Sequence, residues 1–149
     1  VIPAGVTGDY PSYFADWFPT LCDAIGAKRP GGLDGVSLWN VLSKRGPAPK
    51  GSVTQGSVLG RNAMVWVFPE YGGQVAVRIG NLKGVRQGLK TGRPGGWEVY
   101  DLAADPGESQ DLAATSEAFL KEVEAVLDRE VDENEVFPLA VDAPVTSAR

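Results

Sequence analysis

The sequence predicts an α+β fold, a small four-stranded antiparallel sheet with a packed C-terminal helix. Three observations lead there. Short apolar or alternating runs follow one another between residues 64 and 101, with a hairpin-length link at Gly80-Asn81. Apolar residues recur every three or four positions from Phe119 to Leu127. A stretch from Gly46 to Gly60, rich in Gly, Pro and Ser and without apolar period, separates this part from an earlier helix and is the best boundary in the chain.

The earlier helix begins near Asp16, which suits an N-cap, with Pro19 in the first turn and Gly26 placed to stop it. Phe18, Leu21, Cys22 and Ile25 share one apolar side, which is expected to be covered by the open face of the sheet or by a second polypeptide. After the Pro30-Gly31-Gly32 break, Ser37 to Leu42 has room for one more helical turn. Met64 to Phe68 is a short unbroken apolar run stopped by Pro69, which reads as a strand. Val75, Val77 and Ile79 alternate with Ala76 and Arg78, and the return strand from Leu82 to Gln87 sets Leu82 opposite Ile79 and Lys83 opposite Arg78. Trp97 to Asp101 is the fourth strand, and Trp66 and Trp97 read as core residues. In the closing helix Phe119, Leu120, Val123, Val126 and Leu127 line one side, Thr115 or Ser116 caps the start, and Glu117→Lys121 is a favourable pair. The helix covers one sheet face only, so the other meets solvent or another domain. The tail from Val141 to Arg149 is expected to be poorly ordered.

Composition narrows the chemistry. The chain of 149 residues has 14 basic against 19 acidic residues, and its Lys and Arg are scattered singly, which argues against a nucleic-acid partner. No apolar run approaches the roughly 20 residues that span a bilayer, so no membrane partner is expected. The absence of histidine removes the usual general base near neutral pH. Cys22, the single cysteine, sits in an apolar helical stripe and reads as a small buried hydrophobe rather than a nucleophile. Asp105-Pro106-Gly107-Glu108 with Asp111 lacks the alternating spacing of a calcium loop and reads as a turn capped by carboxylates. Arg78 and Lys83, side by side on one sheet face, are expected to pair with Glu98 or Asp101. The chain opens on Val1-Ile2-Pro3-Ala4-Gly5, and a fragment or processed product is expected.

The order of these pieces resembles the C-terminal portion of the sulfatase (arylsulfatase) family. The pieces are Val1-Ile2-Pro3-Ala4-Gly5, Asp16-x-x-Pro19-Thr20-Leu21 and Leu33-Asp34-Gly35-Val36-Ser37-Leu38, followed by Ala76-Val77-Arg78-x-Gly80-x-x-Lys83. Trp97-Glu98-Val99-Tyr100-Asp101-Leu102, Asp105-Pro106-Gly107-Glu108 and Asp111-Leu112-Ala113 complete the series. Each is weak alone; the resemblance runs in order from about Val1 to about Val131.

The resemblance implies that residues 1–45 are a remnant of an α/β, alkaline-phosphatase-like catalytic domain and that residues 46–149 are the C-terminal subdomain. It implies a parent enzyme that hydrolyses sulfate esters with a formylglycine nucleophile and calcium, outside the cytoplasm, in the periplasm or secreted. The nucleophile of that family lies in a Cys-x-Pro-x-Arg setting, which Cys22-Asp23-Ala24-Ile25-Gly26 does not match. No catalytic or metal residue therefore carries over, no cofactor is expected in this chain, and the chain alone is expected to be inactive. Its implied partners are the catalytic N-terminal domain of the same protein and a sulfated small molecule or glycan. The loop Pro69-Glu70-Tyr71-Gly72-Gly73 falls where the family's subdomain reaches the substrate cleft, which makes Glu70 and Tyr71 candidate rim residues. Relatives carry a histidine in this loop and this chain has none, and a plain hairpin turn is the alternative. Two other readings compete: a related phosphatase or phosphonate monoesterase, and a non-catalytic glycan- or protein-binding module, whose marker would be exposed stacking aromatics.

Overall fold

Alternating side chains and tight turns make strands that pair with their sequence neighbours, and the computed structural model describes residues 2–5, 10–43, 63–132 and 135 of such a chain. It divides into two units, Val1–Asn62 and Ala63–Arg149. The linker from 46 to 60 and the tail from 141 to 149 lie outside the described residues.

The second unit is a meander of four strands, β1 (Met64–Phe68), β2 (Gln74–Ile79), β3 (Leu82–Gln87) and β4 (Trp97–Asp101), in the order β1-β2-β3-β4. All pairs are antiparallel, with Ile79 opposite Leu82 and Arg78 opposite Lys83. Gly80 at φ 61 supplies the positive dihedral that the two-residue hairpin needs. Period-two alternation puts Val75, Val77, Gly84 and Val99 on one face, where the last helix of the unit, α3 (Glu117–Glu130), covers them. Phe119, Val123, Val126 and Leu127 of α3 are buried there. Gly84 stands between Val77 and Val99 in the register, and a Cβ on it would meet the Phe119 and Trp97 rings at 3.4 Å. The missing side chain thus makes the flat seat on which both rings rest. The helix starts at Glu117, and neither expected hydroxyl caps it: Ser116 Oγ and Thr115 Oγ1 both donate back to the Leu112 carbonyl. Lys121 Nζ lies 2.7 Å from Glu117 Oε1, as the spacing requires.

The first unit is held together by polar groups. A 3-10 turn (Phe14–Asp16) leads into α1 (Trp17–Ile25), closed by Gly26 at φ 71, and a single turn α2 (Trp39–Leu42) follows. Pro19 and Thr20 of α1 and Asp16 just before it are buried, while Phe18, Leu21 and Ile25 are exposed by 54%, 57% and 78%. Cys22 is half-buried rather than buried. The reason is a hydrogen-bond network that needs dry surroundings and good geometry. Asp16 does not cap α1 with its side chain. Its Oδ2 accepts from Tyr13 N at 3.1 Å and its Oδ1 from Val36 N at 2.9 Å. Thr20 Oγ1 donates to the Asp16 carbonyl at 2.6 Å and accepts from Leu38 N at 2.9 Å. Gly35 lets the returning chain come this close, since a Cβ there would overlap the Ala15 carbonyl.

Candidate functional site

The loop between β1 and β2 is built by backbone that a β-branched or bulky residue avoids. Tyr71, Gly72 and Gly73 stand in succession at φ 50, 87 and 80. Gly73 N donates to the Glu70 carbonyl at 3.0 Å, which closes the turn. The loop after β3 holds it from the side: Leu89 N donates to the Gly73 carbonyl at 3.1 Å and Lys90 N to the Gly72 carbonyl at 2.7 Å. Leu89 itself is in the core, so the clamp is anchored. The result lifts the Tyr71 side chain into solvent, 88% exposed, against the Phe68 ring at 6.0 Å between centroids and 18° between planes. Glu70 is exposed at the same tip. The structure therefore brings both predicted rim residues to one protruding turn. It also adds Phe68, which a reading of β1 as an apolar run did not single out.

Trp66 and Phe68 lie on the sheet face opposite α3 and are exposed by 37% and 48%. Trp97 packs against the core as expected, but Trp66 does not belong to it. Strand alternation alone decides this: Trp66 pairs with Ala76, not with the buried Val75 or Val77.

The charged groups on the sheet have structural partners. Lys83 Nζ reaches both carboxylate oxygens of Glu108, at 2.7 and 2.8 Å, in place of the expected Glu98 or Asp101. Arg78 Nε donates to the Gly80 carbonyl at 2.9 Å and so serves the hairpin turn. Glu98 Oε2 accepts from Tyr100 Oη at 2.9 Å, and this bond pushes the phenol up to about 12. In the acidic turn, Asp105 Oδ2 accepts from Gln110 N and Ser109 N, at 2.8 and 2.7 Å. The Gln110 amide leads in holding that carboxyl below its ordinary value. Asp111 Oδ1 takes Val99 N and Ala113 N, each at 2.9 Å, which ties the turn to β4. A calcium ion would need these same oxygens, so the cluster does not fit one. Among the described residues no group of three His, Cys, Asp or Glu side chains is placed to hold a metal. No helix among them is long and apolar enough to cross a membrane.

No family model matches the chain. A curated N-acetylglucosamine-6-O-sulfatase of Bacteroides thetaiotaomicron is 30% identical over 128 residues, which are 83% of this chain and 21% of that protein. A structure solved in complex with its substrate D-glucosamine-2-N,6-O-disulfate superposes with a TM-score of 0.57 at 26% identity, covering 76% of this chain and 22% of the other. The chain matches the C-terminal part of sulfatases. A second solved structure, assigned as a sulfatase from Bacteroides thetaiotaomicron, gives a TM-score of 0.57 at 31% identity over 76% of this chain and 23% of that one. The chain thus spans about a fifth of the length of the curated sulfatase, 21%. The α+β architecture, with its four-stranded antiparallel sheet, is that of the same C-terminal region.

With the sulfatase match in hand, the sequence pieces behind the resemblance have a physical content. Asp16-x-x-Pro19-Thr20 and Gly35-Val36-Ser37-Leu38 are the two halves of one buried hydrogen-bond network. Asp105-Pro106-Gly107-Glu108 and Asp111 are the turn that carries the partner of Lys83 and pins β4. These residues build the fold. They are legible in the sequence because a fold-building hydrogen bond needs one particular side chain.

Proposed function

We propose that this chain is the C-terminal portion of an enzyme that hydrolyses sulfate esters on an amino-sugar-containing glycan. The observation that carries the proposal is the sulfatase match over 128 residues, joined to a fold that superposes on a structure holding a disulfated glucosamine. The chemistry of the family, a formylglycine nucleophile assisted by calcium, would be supplied by residues outside this chain. Its own acidic turn is committed to backbone amides and does not fit the ion.

The contribution of this chain is structural and substrate-shaping. The exposed stripe Trp17, Phe18, Leu21 and Ile25 is a surface that the catalytic N-terminal domain would cover, since apolar side chains of this size gain about 1.5–3 kcal/mol each on full burial. Glu70 and Tyr71, on a rigid turn, form part of the rim of the substrate cleft. The enzyme would act in the periplasm or outside the cell, where sulfated polysaccharides are met.

The experiment is a sulfate-release assay on aryl sulfates and on glucosamine 6-sulfate. The 149-residue chain alone is expected to give no turnover, with or without calcium, and the same chain joined to its catalytic portion is expected to give it. Turnover by the isolated chain that persists in Cys22→Ala and follows the protein through purification overturns the division of labour. Failure of the joined protein on every sulfate ester overturns the function.

A further inference from the structure

The fold closes one outer edge of the sheet and leaves the other open. The two-residue link at Gly80-Asn81 makes Ile79 and Leu82 a hydrogen-bonded pair. Backbone groups then alternate along β2: Val75, Val77 and Ile79 turn theirs toward β3, and Gln74, Ala76 and Arg78 toward β1. Carried across the register, this alternation turns the amides and carbonyls of Val65 and Val67 to the outer edge of β1. It likewise turns those of Val99 to the outer edge of β4. At Val99 the chain covers them: its N–H donates to Asp111 Oδ1 at 2.9 Å, and its carbonyl accepts from Leu112 N at 2.8 Å. At Val65 and Val67, among the described residues, no such group arrives.

β1 also lacks what keeps an open edge from pairing. Edge strands are guarded by charged side chains, an internal proline, a bulge or a covering segment. Met64-Val65-Trp66-Val67-Phe68 has no charge and no proline, and it pairs residue for residue with β2, without a bulge. Trp66, Val67 and Phe68 are exposed.

The spacing of the open groups selects the partner. Val65 and Val67 match an antiparallel strand whose own outward groups also stand two residues apart, and a second β1 is such a strand. Setting Val65 opposite Val67 of the second copy, and Val67 opposite its Val65, gives every outward amide of one strand an outward carbonyl of the other. A slip of one residue sets outward groups against groups already bonded to β2. A slip of two sets Val65 opposite Pro69, which has no N–H, or Val67 opposite Ala63, beyond the strand. The matched register has its two-fold axis at Trp66. The two Trp66 residues then face each other as a non-hydrogen-bonded pair, the closer kind, on the face opposite α3.

We propose that β1 is a docking edge for a second copy of this chain, antiparallel about Trp66, so that the two four-stranded sheets become one. The pairing is independent of the ester that the parent cleaves.

The 149-residue chain is followed by analytical ultracentrifugation from about 10 μM to about 1 mM, the range suited to an interface smaller than the roughly 1,200 Å² of stable complexes. A monomer–dimer equilibrium is expected, with an exciton couplet from the paired Trp66 rings that grows with concentration in far-ultraviolet circular dichroism. Exchange of the Val65 and Val67 amides should slow as concentration rises, while the Val99 amide, held by Asp111, stays protected throughout. Val67→Pro removes one outward N–H and no bond to β2, and should weaken the dimer at least about tenfold. Trp66→Lys keeps that N–H but sets two cations opposite each other at the axis, and should weaken it as well. A chain that stays monomeric at about 1 mM overturns the proposal. So does a dimer that persists in both variants; its loss in Leu21→Lys would then trace it to the exposed side of α1. In the chain joined to its catalytic portion, the protection of Val65 and Val67 should still depend on concentration. Protection independent of concentration overturns the proposal, since the catalytic portion then covers the edge.

Discussion

Replacing Phe119 by alanine tests the core at the point where helix and sheet meet. The ring is 7% exposed and lies over the glycine seat at Gly84, alongside Trp97. An aromatic side chain buries roughly 150–250 Å², and at about 25 cal/mol per Å² its removal forfeits roughly 4–6 kcal/mol as an upper value. The seat cannot refill the space, because Gly84 has no side chain and the neighbouring Val77 and Val99 are fixed by the strand register. The expected cost is therefore about 3–5 kcal/mol, the range for Phe→Ala in a core that relaxes little. Urea denaturation followed by circular dichroism gives the total, and native-state exchange of the Val77 amide, on a strand paired on both sides, reports the sheet alone. Phe119→Leu, which keeps most of the volume, should cost about 1–1.5 kcal/mol. A loss under about 1 kcal/mol for Phe119→Ala would refute the claim that α3 is held to the sheet through this ring.

Two further outcomes are expected. Asp16→Ala leaves the Tyr13 and Val36 amides without their acceptor, and should cost about 2–4 kcal/mol in the first unit, read as faster exchange at Val36 and Leu38. Glu98→Gln should return the Tyr100 phenol from about 12 toward its ordinary 10.0, followed by tyrosinate absorbance. The sign follows from the shift: Glu98 favours the protonated phenol, so this contribution to stability is present below pH 10.0 and is lost as pH rises through about 12.

The strand bounds, the pairing of Arg78 with Lys83 and the buried side of α3 were legible in the sequence because each depends on residues close together in the chain. Alternation fixes which strand residues share a face, and Gly80 fixes the turn that sets the register. Glu70 and Tyr71 were legible as one loop, through the resemblance and the Gly72-Gly73 pair that follows them. That Tyr71 would itself take a positive φ, and stack on Phe68, had no local signal, because glycine is the residue that announces such a backbone.

The buried polar side of α1 had no local signal for a related reason. An apolar stripe records a preference for burial, not the surface that satisfies it, and in this unit the polar Asp16 and Thr20 are the residues with partners at hand. Those partners arrive from 20 and 18 positions further along. Likewise Lys83 finds Glu108 across 25 positions, past the nearer acids Glu98 and Asp101. Local periodicity and turn chemistry determined the elements of this protein; the return path of the chain decided which polar groups meet, because a hydrogen bond or ion pair acts over a few ångströms while the sequence separation that closes it is set by the whole fold.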